Sequence, residues 1–433
     1  MSLAGQVQTM ALDPITFNNS RVEWALPDDY YLSDTMVIAN LGMYATNTTF
    51  GNTVAAFYPV TCGVGQCISR FTLYSGSDEI EFLDQVPQWI SHQALNNPST
   101  TSEDILPCTL HSGWAWGQLG DQNVIGAAAN TAGGLFTLNS ARKDYYTTFG
   151  GGSLPSTNQS RLGNTQYNGA SASLPVKMIS GLLSSTPVLP KIPKLRLVIE
   201  YDTTVAHYFT PAAGTAPAAV LPTFPLLICQ KVLNPPPQPP VVNIPYYVIR
   251  CDAGFVVPAI ANVAGTTGRV TYQSYAFRSK LLKDLTLYAA PAAATGIMLP
   301  QIKSPGQNAE IINFIINGMK YIPDTGIDTG ARKMQYLLGT HGNYCIPMMC
   351  ENFGMFNQGG IAAGSAESTI GNLSLCAIKV DAPITTQIQV EYSRTVPANP
   401  TADQYGQFNL YLYGREAQVL SIAAGRASIS VAS

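Results

Sequence analysis

Leu233-Asn234-Pro235-Pro236-Pro237-Gln238-Pro239-Pro240 stands just past the middle of a 433-residue chain, and five of these eight residues are proline. Proline fixes φ and removes a backbone donor, so neither a helix nor a central strand can run through the stretch. Such a run favours extended polyproline II and acts as a semi-rigid spacer. The rival function, a PxxP ligand for an aromatic groove, belongs more often to a disordered tail. A spacer is also favoured by what flanks it, because the two sides look alike.

Phe71-Thr72-Leu73-Tyr74 before the run is echoed by Leu285-Thr286-Leu287-Tyr288 after it. Val198-Ile199-Glu200-Tyr201 is echoed by Gln389-Val390-Glu391-Tyr392, and Phe224-Pro225-Leu226-Leu227-Ile228 by Phe408-Asn409-Leu410-Tyr411-Leu412. One four-residue match means little, but three in the same order point to two copies of one domain. The first two matches lie 214 and 191 residues apart, which assigns about 23 extra residues to the first half.

A chain of this length is too long for one ordinary core. Apolar residues make up 46%, enough for sizeable cores, whereas charged residues are only 11% against a usual share of about 25%. With Gly 37 and Pro 30, the pattern is one of many short strands and many turns, with surfaces covered by Ser, Thr, Asn and Gln. A weakly charged surface on a large protein fits burial against neighbours. The net charge of −3 gives no broad attraction to nucleic acid or to an anionic membrane. The eight cysteines are scattered without a CxxC pair, and no basic segment followed by an apolar run opens the chain. Reduced thiols in an intracellular compartment are therefore expected, with the sequons at Asn18, Asn47, Asn158 and Asn372 unused. Tyr208 to Gln230 is uncharged and apolar, but its four prolines exclude a membrane helix.

In chain order, residues 1–20 carry no Lys or Arg and suit an extended arm, not a basic RNA-packaging one. Short apolar runs over 21–60 predict strands, as do two runs over Ile68 to Leu83 about the turn Ser75-Gly76-Ser77-Asp78. Val86 to Asn96 predicts a short helix. Residues 98–175 suit long excursions between strands, which are usually functional or interfacial. Lys194 to Asp202 alternates as a strand. In the second half, Val241 to Val257, Thr271 to Tyr288, Ile388 to Tyr392 and Phe408 to Tyr413 predict strands. Ala309 to Tyr321, with Ile311, Ile312, Ile315, Ile316 and Met319 at helical spacing, predicts a helix that would parallel Val86 to Asn96.

Motifs for chemistry are sparse. Gly265-Thr266-Thr267-Gly268-Arg269 lacks the spacing and the lysine of a phosphate loop. Of the histidines His92, His111, His207 and His341, none accompanies a GxSxG serine. Glu79 and Glu81, two apart on a predicted strand, share a face and could form a carboxylate pair, but a solvated strand face is the commoner meaning. His341, Cys345 and Cys350 lie close in sequence, yet their spacing fits no zinc pattern and a fourth ligand is missing. No catalytic, cofactor-binding or metal site is assigned, and no cofactor is expected.

Two tandem all-β halves, a short linker, a short helix after the early strands, long Gly/Ser/Asn loops and no catalytic motif together resemble the double jelly-roll major capsid proteins of double-stranded DNA viruses. The resemblance spans nearly the whole chain and rests on architecture. It implies an all-β fold of two tandem eight-stranded antiparallel jelly rolls. The divisions are an arm over 1–20, a first roll over 21–234, a linker over 235–240, a second roll over 241–420 and a tail over 421–433. It also implies a non-enzymatic homotrimer forming a pseudo-hexagonal capsomer of an icosahedral virion. Its partners would be neighbouring capsomers and minor capsid or penton proteins, without direct nucleic-acid binding and with inner-membrane contact left open. The alternatives are a two-domain β-sandwich lectin or glycosidase, for which Trp114 and Trp116 would be the aromatic platform, and a minor capsid or spike protein.

Overall fold

The computed structural model of the protein describes residues 7–46, 62–96, 171–208, 217–261, 263–291, 310–322, 326–327, 335–336, 339–340, 374–396, 407–423 and 425–431. They build four antiparallel sheets, and the proline run separates them two and two. In the first lobe, β1 (Val7–Leu12), β4 (Tyr31–Leu32), β5 (Val37–Thr46), β8 (Ser171–Pro175), β9 (Val188–Leu189), β11 (Ala219–Pro222) and β12 (Leu226–Val232) form one sheet. Its central order is β1-β12-β5-β8. The facing sheet runs in the order β2-β3-β10-β6-β7, from β2 (Thr16–Phe17), β3 (Arg21–Ala25), β6 (Ile68–Ser75), β7 (Asp78–Asp84) and β10 (Leu195–Tyr201).

The second lobe repeats this plan. The sheet β13-β20-β15-β18 comprises β13 (Val241–Val257), β15 (Leu281–Pro291), β18 (Ser374–Pro383) and β20 (Phe408–Ala423), with β21 (Arg426–Val431) folded back on β20. The sheet β14-β19-β16-β17 comprises β14 (Thr267–Ser274), β16 (Glu310–Ile316), β17 (Met319–Lys320) and β19 (Ile388–Thr395). Place by place, β1-β12-β5-β8 corresponds to β13-β20-β15-β18, and β3-β10-β6-β7 to β14-β19-β16-β17. These are two jelly rolls in tandem, each an antiparallel sandwich.

Alternating side chains fill the space between facing sheets. Trp24, Ile38, Phe71, Leu197, Ile199 and Leu227 do so in the first lobe. Leu285, Leu287, Ile312, Phe314, Val390 and Leu412 do so in the second. Among the described residues, two α-helices punctuate the first lobe, α1 (Val86–Asn96) and the single-turn α2 (Gly181–Ser185). Among the described residues no helix is long and apolar enough to cross a membrane.

Four expectations need correction. Ala309 to Tyr321 is no helix but the hairpin β16–β17, turning at Asn317 and Gly318, whose φ values are +53° and +80°. Ile312, Phe314 and Ile316 are buried while Ile311, Asn313 and Ile315 are half-buried, which is period two. The β-branched isoleucines suit a strand, and Asn-Gly is the signature of a two-residue hairpin turn.

The pairing of Thr72 with Thr286 also fails. Thr72 lies on β6, whose counterpart is β16, whereas Thr286 lies on β15 in the opposite sheet. The strands of Glu200 and Glu391 do hold equivalent places, as do β12 and β20. The excess of 23 residues falls with the wrong match. From the start of β6 to the start of β10 is 127 residues, and from β16 to β19 it is 78, so the first lobe carries 49 more there.

Neither terminus is a loose arm over its described residues. β1 pairs with β12 from Val7↔Val232 to Leu12↔Leu227, and β2 pairs with β3. Residues 426–431 pair with 418–423, and Ala427 is buried in the first lobe's core cluster.

Candidate functional surface: the seam between the lobes

The buried cluster of the first lobe does not stop at the linker. It continues through Ile244, Tyr246, Val248 and Ile249 of β13 and through Tyr413, Leu420 and Ile422 of β20. β13 is an edge strand, and its middle is covered by the first lobe. A Cβ on Gly181 would sit 1.7 Å from the Tyr247 carbonyl oxygen, so only glycine lets α2 approach this closely. Covering an edge in this way removes a template for stray strand pairing.

Polar and ring contacts cross the seam or lie beside it. The Tyr246 hydroxyl lies 3.0 Å from the Ile80 carbonyl and 3.1 Å from Gln418 Oε1. Tyr413 donates to the Gln85 carbonyl at 2.8 Å, and Trp89 Nε1 donates to the Met178 carbonyl at 2.9 Å. Phe82 is held between two guanidinium groups, Arg70 of its own lobe at 4.5 Å and Arg250 of the other at 4.0 Å. Glu416, 1% exposed, meets Lys280 at 3.1 Å and Arg250 at 3.8 Å. Asp284 is buried, and both its oxygens accept from Arg415 Nε at 2.9 and 2.8 Å. Burial pushes Asp284 above the ordinary carboxylate range, against the pull of Arg415. The linker is tied to the first lobe by Gln238, which accepts from Lys191 N at 3.0 Å and donates back to its carbonyl at 3.3 Å.

A cavity of about 650 Å³ opens along the seam, lined by Trp89, Lys177, Tyr247, Lys283, Arg415 and Gln418 among others. Its cations are engaged: Lys177 with Asp34 at 2.7 Å, Arg415 with Asp284, and Lys283 over the Tyr247 ring at 4.6 Å.

Glu79 and Glu81 do not form a working pair. A bulge in β7 interrupts the register between them, opposite Leu73 and Tyr74. Glu79 meets Arg70 at 3.4 Å near the surface. Glu81 is 2% exposed and accepts from the amides of Gly181 and Leu182, while the Ser180 hydroxyl donates to its other oxygen. Burial pushes its carboxyl up to about 7, against those hydrogen bonds and Arg250. Sequence reasoning saw the strand but not α2, because a one-turn helix around Ser180-Gly181 leaves almost no periodic signal.

The other candidates are bland or lie elsewhere. Asp202 accepts from Gln66 at 2.7 Å, from Thr204 N at 3.0 Å and from His207. Burial would raise this carboxyl, but His207 brings it below its ordinary value. Burial raises the Cys67 thiol well above the ordinary range and Cys229 to about 11, so neither is a ready nucleophile. Cys67, Cys229 and Cys251 are free thiols. His92 is buried on α1 with its ring 5.3 Å from that of Trp89. Gly265, at φ +83°, turns the chain into β14. Asn18 caps a turn, its Oδ1 accepting from Ser20 N and Arg21 N at 2.9 and 2.8 Å. Trp114, Trp116, His111, His341, Cys345, Cys350, Asn47, Asn158 and Asn372 lie outside the described residues. Among the described residues no cluster could hold a metal ion.

No family model matches the chain, and no curated protein does. Solved structures do. A chain of the Sputnik virophage is similar over 99% of this protein and 89% of its own length, with 12% identity and a TM-score of 0.55. The mavirus major capsid protein is similar over 98% and 90%, with 9% identity and a TM-score of 0.54. VP54 of PBCV-1 is similar over 99% and 97%, with 11% identity and a TM-score of 0.51. At such identities the shared property is the fold, and it is shared along the whole chain. Two facing sheets in the same strand order, occurring twice and joined through one proline-rich run, give this protein the double jelly-roll fold found in the major capsid proteins of double-stranded DNA viruses and virophages.

Proposed function

We propose that the protein is the major capsid protein of a double-stranded DNA virus, a non-enzymatic building block of an icosahedral shell. The observation that carries this is the match of both lobes together to the mavirus major capsid protein, over nearly the full length of both chains. The seam supports it, because two rolls locked by a shared core act as one rigid tile. A homotrimer is the natural assembly. Oligomers close by rotation, and a threefold axis through a two-lobed chain yields six similar lobes with a hexagonal outline. The low charge content of 11% fits extensive burial against neighbouring capsomers and against minor capsid or penton proteins. The net charge of −3 offers no general grip on a genome. The protein would reside in the virion. Sedimentation and negative-stain microscopy of the purified chain test this: trimers of hexagonal outline are expected, and a stable monomer at micromolar concentration would overturn it.

A further inference from the structure

The seam holds a buried titratable group whose partners all come from one short element. Glu81 Oε2 accepts from the amides of Gly181 and Leu182 at 3.0 and 3.1 Å, and Oε1 meets the Ser180 hydroxyl, which in turn accepts from Leu183 N at 3.1 Å. All of these partners are neutral. They belong to α2, the element that presses on the Tyr247 carbonyl of the other lobe. The carboxyl that anchors α2 therefore stands directly behind the contact between the lobes.

The elements around Glu81 carry charged and titratable groups, and most of the charges are already matched. On its own strand stand Glu79 and Asp84, both paired with Arg70 of β6 at 3.4 and 3.6 Å. β13 brings Tyr246, Cys251, Asp252 and Arg250, and Arg250 also lies over Phe82 and beside Glu416. β20 brings Glu416 and Arg415, which are matched by Lys280 and Asp284. β15 also brings Lys283, over the Tyr247 ring. α1 brings His92, β21 brings Arg426, and α2 itself has no charged side chain. Arg250 thus acts on Glu81 as a shared cation, engaged also by Phe82 and Glu416.

We propose that Glu81 is a proton-operated latch: protonated, it holds α2 against β13, and ionised, it loosens the seam between the lobes. A carboxylate without a dedicated cation is costly where water is excluded. Burial accordingly lifts this group from 4.5 to about 7 in the closed state. Opening returns it to water, so the closed state binds more protons between those values. The stabilisation is complete below the lower value and is lost as pH rises through the upper one.

Hydrogen exchange of the full-length protein tests this, read on peptides covering residues 180–185 and 244–252 and corrected for intrinsic rates. Protection is expected to fall on the order of tenfold between about pH 5.5 and about pH 8.5. In Glu81→Gln it should be equal at both. A wild type without pH dependence, or a Gln variant that keeps it, overturns the proposal. If Glu81→Gln does not fold, Ser180→Ala serves. It removes a hydrogen bond that favours the ionised form, so the loss of protection should move to higher pH, and an unmoved midpoint overturns the latch.

Discussion

Gly181 and Arg415 carry contacts whose value can be read from single substitutions. Alanine at 181 would put a methyl carbon 1.7 Å from a backbone oxygen of the neighbouring lobe, and backbone cannot rotate away as a side chain can. Overpacking of this kind costs about 1–3 kcal/mol or more, so Gly181→Ala should lower the urea midpoint by that equivalent while leaving far-UV dichroism unchanged. Arg415 presents a different balance. Its guanidinium is the counter-charge of Asp284, whose side chain is 4% exposed. Arg415→Ala leaves that carboxylate buried and unpaired, at a cost of about 3–5 kcal/mol. Replacing both residues by apolar ones of similar volume, Arg415→Met with Asp284→Leu, should cost less than the single change, because no orphan charge remains. Equilibrium unfolding of the single and double variants decides this, and a double variant worse than Arg415→Ala would show that the pair supplies more than neutralisation.

At the level of elements, the hairpin β16–β17 shows where sequence patterning is ambiguous. Ile311, Ile312, Ile315 and Ile316 satisfy a helical repeat, yet Ile312, Phe314 and Ile316 equally satisfy an alternating one. Local spacing could not choose between them, and Asn317-Gly318 was the discriminating feature. Gly318 sits at φ +80°, so Gly318→Val should destabilise the second lobe by about 1–3 kcal/mol, measured by chemical denaturation. Elsewhere the same kind of reading succeeded where the period was unmistakable. Leu195, Leu197, Ile199 and Tyr201 alternate and form β10, and Gly76 at φ +61° turns β6 into β7 at the place its composition announced. The termini are hard to read because short segments such as Val7–Leu12 become strands only when a neighbour offers an edge. The role of Glu81 was illegible for a related reason. Its partners are 99 to 101 residues away, so nothing local distinguishes it from the half-buried Glu79 two positions before it.

For the whole molecule, the decisive feature is that one core is private and the other is shared. The second lobe encloses Leu285, Leu287, Phe314, Val390 and Leu412 between its own sheets. The first lobe's cluster is completed by Tyr246, Val248, Tyr413, Leu420 and Ile422 from across the proline run. Interfaces between lobes of one chain are usually small and polar, and relative motion is then the default. Here the contact is apolar at its centre, and Gln238 also ties the linker to Lys191. The two halves should therefore differ when expressed apart. Residues 1–240 would expose the face that normally receives β13 and the β20–β21 hairpin, and would lose the cover over α2. They are expected to aggregate or to unfold at much lower urea than the intact chain. Residues 241–433 keep a closed sandwich and should retain a cooperative transition, while exposing Tyr246, Val248 and Ile422 to dye binding. Mixing the two fragments should restore the protection of the first. Parallel urea titrations of each fragment and of the mixture check this, and a first fragment as stable alone as in the full chain would mean that the shared core contributes nothing to holding the two lobes together.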